Sequence, residues 1–248
     1  MEWTESRAVV TGAAQGIGAA VANRLLDLGA TVVAVDIQGE RLAPLAERGA
    51  ETVVASVGSA DGRAAIVEAA GDLTHLANVA GRMIAEPISE ASEESWDGIF
   101  DVNAKGVFFL CRDLIPRIPE GGAVVNLSSV AAKFSQTSEA AIYSASKAAV
   151  QCITRTFAHL HGPRGVRVNS VCPGIIDTPM QDDVIARAAK ARGMTHDELR
   201  AARLQALVPM RREGSAEECA VTIVSLLGND WGYVTGQTVN IDGGFQMY

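Results

Sequence analysis

The chain has 248 residues, a formal net charge of −8 and a sequence pI near 5.0. An acidic surface repels phosphate groups, which argues against nucleic-acid partners and against binding to an anionic membrane. Hydrophobic residues make up 48% of the sequence and aromatic residues only 5%, so the core must consist mainly of Ala, Val, Ile and Leu. The length fits one large α/β domain.

The N-terminus and the cysteines predict a cytoplasmic protein. Residues 1–5 lack the basic start and apolar run of a signal peptide, and no apolar run reaches the length of a membrane span. The cysteines include no Cys-x-x-Cys pair and are typical of reduced thiols: Cys111, Cys152, Cys172 and Cys219. His159 and His161 would point in different directions on a helix, so no metal site is predicted there.

Strand patterns alternate with helix patterns along the whole chain. Strands are predicted at 7–11, 30–35, 51–55, 73–78, 123–127, 166–171 and 237–241. Helices are predicted at 19–28, 40–48, 62–70, 92–116, 142–160 and 216–227, with a charged helical segment at 179–212. This alternation predicts an α/β fold, a doubly wound parallel sheet with right-handed crossovers and helices on both faces. No linker or repeat divides the chain, so we predict one domain over residues 1–248.

A glycine turn follows the first predicted strand. Gly12, Gly16 and Gly18 lie between strand 7–11 and helix 19–28. Glycines there let the backbone approach a pyrophosphate, and the helix N-terminus supplies N–H groups. A glycine motif alone is weak evidence, but the strand before it and the helix after it favour a dinucleotide site.

Asp36 ends the second predicted strand, 18 positions beyond Gly18. A carboxylate there can accept hydrogen bonds from the adenosine ribose and would repel a 2′-phosphate, which predicts NAD rather than NADP. The neighbouring positions carry no basic side chain: Ala14, Gln15, Ile37 and Gln38. Arg41 is the nearest cation, and we expect its helix to turn it away. The alternative for Asp36 is a turn or N-cap carboxylate.

Tyr143 and Lys147 are four residues apart, so on a helix they share one face. A free tyrosine has a pKa near ~10, too high for a base at neutral pH, and a nearby ammonium would lower it. Ser129, after strand 123–127, could hold the reacting oxygen. A Tyr-x-x-x-Lys pair alone is common and also fits an ordinary surface helix.

These features together resemble the short-chain dehydrogenase/reductase family over essentially the whole chain. Residues 11–18 resemble its cofactor turn, and residues 78–81 its Asn-Asn-Ala-Gly element, with Val79 in place of the second Asn. The segments 233–236 and 242–244 are similar to the end of family members.

The resemblance implies hydride transfer between a secondary alcohol and nicotinamide without a metal. The catalytic residues it implies are Asn103, Ser129, Tyr143 and Lys147. Tyr143 would be the general base, Lys147 would lower its pKa and hold the nicotinamide ribose, and Ser129 would orient the substrate oxygen. Asn103 would hold a water in a proton relay; its alternative role is a helix side chain bonded to the backbone.

The resemblance also assigns the cofactor contacts. They are Gly12, Gln15, Gly16, Ile17, Gly18, Asp36, Ile37, Ser56, Val57, Asn78, Ala80, Gly81, Tyr143, Lys147, Pro173, Gly174, Ile176 and Thr178. Ser56 and Val57 stand where family members often carry an aspartate near the adenine, so we expect weaker or backbone contacts there. The segment before Tyr143 is one residue longer than in many relatives, which makes Ser128 a weaker candidate than Ser129.

The predicted substrate is a small polar secondary alcohol or polyol. Its contacts are predicted at Ser129, Ala131, Glu139 and Tyr143, beneath a lid at 179–212. Glu139 could bind a second hydroxyl, and Arg82 or Lys133 could pair with an anionic group, although a solvated surface charge also explains both cations.

Two other functions stay open at this point. One is an NADPH-dependent 3-oxoacyl or ketone reductase, and the other a non-catalytic dinucleotide-sensing regulator. Helices 92–116 and 142–160 carry more apolar and small residues than one sheet face can cover. With the family resemblance, this predicts a homo-oligomer with two-fold symmetry, commonly a tetramer.

Overall fold

Seven parallel strands form one sheet in a computed structural model that describes residues 2–134 and 138–247. The strands are β1 (Arg7–Thr11), β2 (Thr31–Asp36), β3 (Glu51–Val54), β4 (His75–Asn78), β5 (Ala123–Leu127), β6 (Arg167–Pro173) and β7 (Thr238–Ile241). Their order across the sheet is β3-β2-β1-β4-β5-β6-β7. The predicted doubly wound α/β fold is confirmed. The order reverses between β1 and β4, and ligands of such folds bind at the carboxyl ends of the strands beside that point.

Nine α-helices occur among the described residues. They are α1 (Gly16–Asp27), α2 (Ala43–Glu47), α3 (Ala60–Ala69), α4 (Glu93–Phe100), α5 (Val107–Leu114), α6 (Ala141–His161), α7 (Pro179–Arg192), α8 (His196–Leu207) and α9 (Ala216–Leu227). Several helices begin at a hydroxyl N-cap, which fixes where the chain turns into the helix. Thr195 and Ser215 form complete capping boxes with Glu198 and Glu218. None of the described helices is both long enough and apolar enough to cross a membrane.

Alternating side chains of the central strands form two apolar cores, one on each face of the sheet. On β1, Ala8 and Val10 belong to the core shared with α1 and α9, whereas Val9 belongs to the core shared with α3, α5 and α6. All three side chains are fully buried. Burial on both faces explains the continuous β-branched runs that mark these strands in the sequence.

The predicted helix 92–116 is not one regular helix. A π-helical segment, Asp101–Gly106, joins α4 to α5 and carries Asn103. A Cβ on Gly106 would lie 2.9 Å from the carbonyl oxygen of Val57, so the absence of a side chain lets the helix approach the loop after β3. Segments of this kind are frequent at functional sites.

The charged segment 179–212 folds as the α7–α8 pair rather than one continuous helix. Gly193, with φ 66°, ends α7 in the left-handed conformation that glycine adopts without strain. Ile185, Ala189 and Leu199 form a small apolar cluster of their own. Arg200 of α8 forms an ion pair with Asp182 of α7, and two more with Asp177 before the helical pair and Glu213 after it.

Candidate active site

The glycine turn between β1 and α1 has the backbone geometry that the sequence predicts. Gly12 and Gly16 have φ values of 72° and 54°, which only glycine adopts at little cost. A Cβ on Gly18 would lie 1.9 Å from the carbonyl oxygen of Gly12, so no side chain fits there. Gln15 does not cap α1 with its side chain, which leaves N–H groups of the first turn for a ligand.

A cavity of about 480 Å³ opens at this turn, at the carboxyl end of β1. Its lining includes most of the predicted cofactor residues: Gly12, Gln15, Gly16, Ile17, Gly18, Asp36, Ile37, Ser56, Val57, Ala80, Gly81 and Thr178. Arg82, Val102 and Met180 also line it and were not predicted as cofactor contacts. The cavity's volume and its glycine floor fit a dinucleotide. The other six predicted cofactor residues lie outside its lining: Asn78, Tyr143, Lys147, Pro173, Gly174 and Ile176.

Asp36 has the turn role considered for it and also lines the predicted cofactor cavity. Its side chain is 9% exposed and lines the cavity. One carboxylate oxygen accepts a hydrogen bond from the Ala14 N–H at 3.1 Å, and the other from the Gln38 N–H at 3.0 Å. The carboxylate therefore fixes the glycine turn and the turn after β2, and each oxygen keeps a lone pair for a ribose hydroxyl.

Arg41 lies closer to the cofactor cavity than the sequence predicted. Its guanidinium donates a hydrogen bond to the side-chain oxygen of Gln15, which lines the cavity. The expectation that its helix turns Arg41 away was wrong, because residues 39–42 form a 3-10 helix that directs the side chain toward the glycine turn. A cation therefore lies on the rim of the pocket that holds Asp36.

Ser56 and Val57 line the cavity from the loop after β3. The Ser56 hydroxyl accepts a hydrogen bond from the Gly58 N–H at 3.2 Å, and the Val57 carbonyl accepts one from Arg63 at 2.9 Å. These bonds shape the loop after β3. Val57 itself is buried in the core, so only one side of this loop faces the cavity.

Lys147 is buried among backbone groups beneath the cavity. Its side chain is 1% exposed, and its Nζ donates to the carbonyl oxygen of Leu127 at 2.7 Å. The Nζ also lies 5.7 Å from the centre of the Tyr143 ring and 3.5 Å from the position that a Cβ on Gly81 would occupy. Burial lowers the pKa of Lys147 to about 8, so the ammonium still predominates at neutral pH.

Tyr143 is held in its protonated form by its surroundings. Burial raises the pKa of Tyr143 to about 12, and a hydrogen bond with the Ser129 side chain only partly opposes this effect. The sequence predicted that Lys147 would lower this pKa, but desolvation of the phenolate is the largest influence on it and raises it.

The two adjacent serines have different environments. Ser129 bonds the Tyr143 side chain, and its hydroxyl accepts a hydrogen bond from the Ala131 N–H at 3.1 Å. Ser128 donates to the carbonyl oxygen of Lys147 at 2.9 Å and accepts from Gln151 at 3.2 Å. The structure therefore places Ser129 against Tyr143 and ties Ser128 to the backbone of α6.

Asn103 is completely buried and bonds the backbone after β4. Its side-chain oxygen accepts from the Arg82 N–H at 2.8 Å, and its Nδ2 donates to the Arg82 carbonyl at 2.9 Å. The same Nδ2 donates to the Ser146 hydroxyl at 3.0 Å, which in turn donates to the Tyr143 carbonyl at 2.7 Å. Sequence reasoning missed Ser146; its position directly before Lys147 was the available signal.

Asn78 supports the site from within the sheet rather than from the cavity wall. Its Nδ2 donates to the Asn126 side chain at 2.8 Å, and Asn126 donates to Thr154 at 3.0 Å. The hydroxyl of Thr11 accepts hydrogen bonds from the backbone N–H groups of Val79 and Ala80, at 3.1 and 3.2 Å. These backbone bonds hold the segment despite the missing second asparagine.

The segment after β6 lies over the glycine turn. The Gly174 N–H donates to the Ile241 carbonyl at 3.0 Å, and Ile176 forms a backbone bridge with Gly214. Thr178 caps α7, and its methyl group lies 3.3 Å from the position that a Cβ on Gly16 would occupy. Pro173 ends β6 and starts this crossing.

The predicted substrate contacts are only partly brought together. Ala131 lies in the short 3-10 turn after Ser129, beside the Ser129–Tyr143 pair. Glu139 is exposed, and its backbone carbonyl accepts a hydrogen bond from the Glu86 N–H at 3.2 Å. Lys133 donates to the side chain of Asn240 at 2.8 Å, so it is not a freely solvated charge. Residues 135–137, within the longer segment noted in the sequence, lie outside the described residues.

Comparison with known proteins identifies the family. Residues 12–246 match the family described as enoyl-(acyl carrier protein) reductase. A 3-oxoacyl-[acyl-carrier-protein] reductase of Thermotoga maritima is 35% identical, with 95% of this chain and 96% of that protein covered. The chain belongs to the short-chain dehydrogenase/reductase family. This membership makes it an oxidoreductase of the nicotinamide-dinucleotide type.

Two further members of the short-chain dehydrogenase/reductase family show the range of relatives. The 3β-hydroxysteroid dehydrogenase 1 of Eggerthella lenta is 35% identical, with 97% of this chain and 93% of that protein covered. The solved structure of L-sorbose reductase from Gluconobacter frateurii, complexed with NADPH and L-sorbose, is 29% identical with a TM-score of 0.89. The match covers 99% of this chain and 98% of the sorbose reductase chain. The relatives thus act on chemically different molecules.

Among the side chains that the structure describes, no three His, Cys, Asp or Glu residues are grouped so that they could hold a metal ion.

Proposed function

We propose that the protein is an NAD-dependent dehydrogenase that acts on a small polar secondary alcohol or polyol. The observation that carries the proposal is the Asp36 carboxylate in the wall of the dinucleotide cavity, with its two oxygens oriented by backbone N–H groups. A carboxylate held in this way accepts hydrogen bonds from a ribose diol and repels a 2′-phosphate.

The residues around Tyr143 would together transfer one proton between the substrate oxygen and the Tyr143 hydroxyl. The bound nicotinamide would supply the hydride acceptor or donor. Tyr143 would exchange the proton of the substrate oxygen, and Ser129, which bonds it, would orient that oxygen. Lys147, fixed on the Leu127 carbonyl, would bind the ribose hydroxyls and place its positive charge beside the phenol. Asn103 would hold the loop at Arg82 and, through Ser146, the first turn of α6.

Arg41 supports a second candidate, an NADP-dependent ketone or 3-oxoacyl reductase. Its guanidinium is bonded to Gln15 on the rim of the same pocket, within the region where a 2′-phosphate would lie. A 3-oxoacyl reductase is among the relatives, and the sorbose reductase structure contains NADPH. We favour NAD because Asp36 is inside the pocket wall, whereas Arg41 must give up its bond to Gln15 to reach a phosphate.

Direct titration of the two reduced cofactors tests this choice without any knowledge of the substrate. Charge-assisted hydrogen bonds contribute about 1.5–3 kcal/mol each, so their loss alone should favour NADH about 10- to 100-fold in Kd. The double variant Asp36→Ala with Ile37→Arg removes the carboxylate and adds a phosphate partner, and should move the preference toward NADPH. Ile37 is 67% exposed at the cavity wall, so arginine fits there without disturbing the core.

Arg41→Ala is the matched comparison for these variants. If NAD is the cofactor, removal of Arg41 should change the NADH Kd by less than about threefold. A wild-type protein that binds NADPH more tightly than NADH, and loses that preference in Arg41→Ala, would replace the proposal with the NADP-dependent candidate.

The α7–α8 pair is proposed as the lid of the substrate site. Met180, in the first turn of α7, is 37% exposed and lines the cofactor cavity, and Arg200 holds both helices near the chain after β6. Closure of such a pair would exclude water from the hydride. With Ile185 and Leu199 engaged in the cluster within the pair, few apolar lid side chains remain for a bulky substrate.

A turnover screen with NAD against polyols, sugars, hydroxy acids and sterols tests the substrate class. The proposal expects the highest kcat/KM for a small polyol or hydroxyl-rich alcohol. Highest activity with sterols or with thioester-linked 3-hydroxyacyl groups would contradict it. No turnover with any alcohol, despite tight NADH binding, would favour the non-catalytic regulator, which the presence of both Tyr143 and Lys147 argues against.

A homo-oligomer is part of the proposal. Large apolar side chains on α4, α5 and α6 remain exposed in the single chain, with Trp96 47%, Phe108 41% and Leu160 61% exposed. Apolar surface of this kind on adjacent helices favours burial against a second copy. A two-fold arrangement of these helices, repeated once more to give a tetramer, would cover it.

A further inference from the structure

The chain after β7 forms a rigid turn at the C-terminus, which we name the C-terminal hook (residues 242–247). One oxygen of Asp242 accepts a hydrogen bond from the Gly244 N–H at 2.9 Å, and the other from the Gln246 N–H at 2.8 Å. Gly243 and Gly244 have φ values of 62° and 90°, so the turn depends on glycine at both positions.

The C-terminal hook lies against two other segments of the chain, the one after β6 and the one after α8. A Cβ on Gly174 would lie 2.8 Å from the Asp242 Cα, so the hook packs directly on the backbone of the segment after β6. On the α7–α8 side, the Met210 N–H donates to the Gly243 carbonyl at 3.1 Å. The hook therefore joins the segment over the glycine turn to the end of the helical pair.

A third contact reaches the loop that starts at Ser129. The ring of Phe245 meets the ring of Phe134 edge to face, with centroids 5.3 Å apart and an interplanar angle of 88°. Beside it, Lys133 donates to Asn240 at 2.8 Å, and Asn240 donates to the Gln246 carbonyl at 2.6 Å. Edge-to-face pairs of this geometry are favourable beyond the area that they bury.

Backbone hydrogen bonds within the loop connect Phe134 to Ser129. The backbone N–H groups of Ala132, Lys133 and Phe134 donate to the carbonyl oxygens of Ser129 and Val130, at 2.9 to 3.0 Å. The loop from Ser129 to Phe134 is thus one compact turn, and a displacement of Phe134 would displace Ser129, which bonds Tyr143.

We infer that Phe245 is a positioning residue for the reaction: through Phe134 it fixes the Ser129 loop and sets the width of the substrate site. The expected effect on substrates rests on the proposed function, whereas the expected effect of Phe245 on the loop from Ser129 to Phe134 does not. With Phe245 in place the wall is closed and favours small alcohols. With the ring removed, the loop moves outward and bulkier alicyclic alcohols gain access.

Hydrogen exchange measures the structural part on the full-length protein. Phe245→Ala should increase the exchange rates of the Ala132, Lys133 and Phe134 amides by about tenfold. Phe245→Tyr keeps the ring and should retain wild-type exchange. Met247→Ala is the matched control, because Met247 belongs to the same hook and is 73% exposed. Equal protection in Phe245→Ala and Met247→Ala would overturn the inference.

Steady-state kinetics measures the effect on substrates. For the best small alcohol, Phe245→Ala should lower kcat/KM about tenfold, with the NADH Kd unchanged. The ratio of kcat/KM for a bulky alicyclic alcohol to that for the small alcohol should rise about tenfold. Phe134→Ala should have the same effect, and the double variant should be no worse than either single variant.

Failure of the inference about Phe245 and failure of the proposed function would give different results. A ratio within threefold of wild type, or effects that multiply in the double variant, would refute Phe245 as a positioning residue acting through Phe134. A Phe245→Ala protein that unfolds at a much lower temperature is replaced by Phe245→Leu, which keeps the apolar volume and loses the aromatic edge. If no alcohol is turned over, the proposed function fails, whereas hydrogen exchange still decides whether Phe245 holds the loop.

Discussion

Replacement of Lys147 by methionine should change the pH dependence of folding stability. The ammonium is 1% exposed, and burial lowers its pKa from the ordinary 10.5 to about 8. At about 1.4 kcal/mol per pH unit, this difference corresponds to a cost of roughly 3 kcal/mol for holding the charge in the folded state. Lys147→Met removes the charge and keeps most of the buried chain.

The sign and the pH window follow from the two pKa values. Below pH 8 the lysine is protonated in both the folded and unfolded chains, so the wild type carries the full cost. Between about pH 8 and 10.5 the folded protein releases the proton while the unfolded chain retains it, so wild-type stability rises relative to the variant. From pH 7 to pH 10 this relative gain is roughly 2–3 kcal/mol.

Urea unfolding of the cofactor-free protein at pH 7, 8, 9 and 10 measures the difference. The variant also loses the hydrogen bond to the Leu127 carbonyl, which costs roughly 1–3 kcal/mol, but that loss is the same at every pH. The pH-dependent part therefore isolates the charge. Lys190→Met, at an exposed position on α7, controls for the loss of a lysine. A difference between wild type and Lys147→Met that stays constant within about 0.5 kcal/mol from pH 7 to 10 would refute the reasoning.

Three other outcomes are expected. Tyr143→Phe should abolish turnover and keep NADH binding, whereas activity within about tenfold, only ~1.4 kcal/mol in barrier, would mean that another group moves the proton. Ser129→Ala should lower kcat far more than Ser128→Ala, because Ser128 is bonded to the backbone of α6; comparable losses of kcat would contradict the assignment. Light scattering should give a multiple of 25.9 kDa at micromolar concentration, and a mass equal to one chain would remove the proposed oligomer.

The central strands of the sheet could be predicted closely because β1, β2, β4, β5 and β6 are buried on both faces. Burial favours continuous runs of β-branched residues, such as Val9 and Val10, and these runs end where the polar loops begin. The glycine turn could be predicted equally well, because a Cβ at Gly12 or Gly18 would clash with neighbouring backbone atoms. That Tyr143 and Lys147 share one helix face followed from their spacing, whereas their catalytic roles were predicted only from the family resemblance. All of these signals are local in the sequence.

Features that depend on contacts between distant parts of the chain could not be predicted from the sequence. The π-helical segment at Asn103 depends on the approach of Gly106 to Val57, almost 50 positions away in the chain. The direction of Arg41 depends on a 3-10 turn that an ordinary helix pattern does not reveal. The pKa of Tyr143 depends on how completely the fold buries it, and spacing to a lysine predicts the sign of only one contribution.

The two shifted pKa values also bear on the direction of the proposed reaction. At neutral pH Tyr143 keeps its proton and Lys147 is mainly charged, so the protein alone is arranged to donate a proton from Tyr143, as the reduction of a ketone requires. Oxidation requires the phenolate, which a positive charge beside the ring would favour. Oxidised nicotinamide carries such a charge and the reduced form does not. The same pair can therefore serve both directions, with the charge state of the bound cofactor selecting whether Tyr143 acts as the acid or as the base.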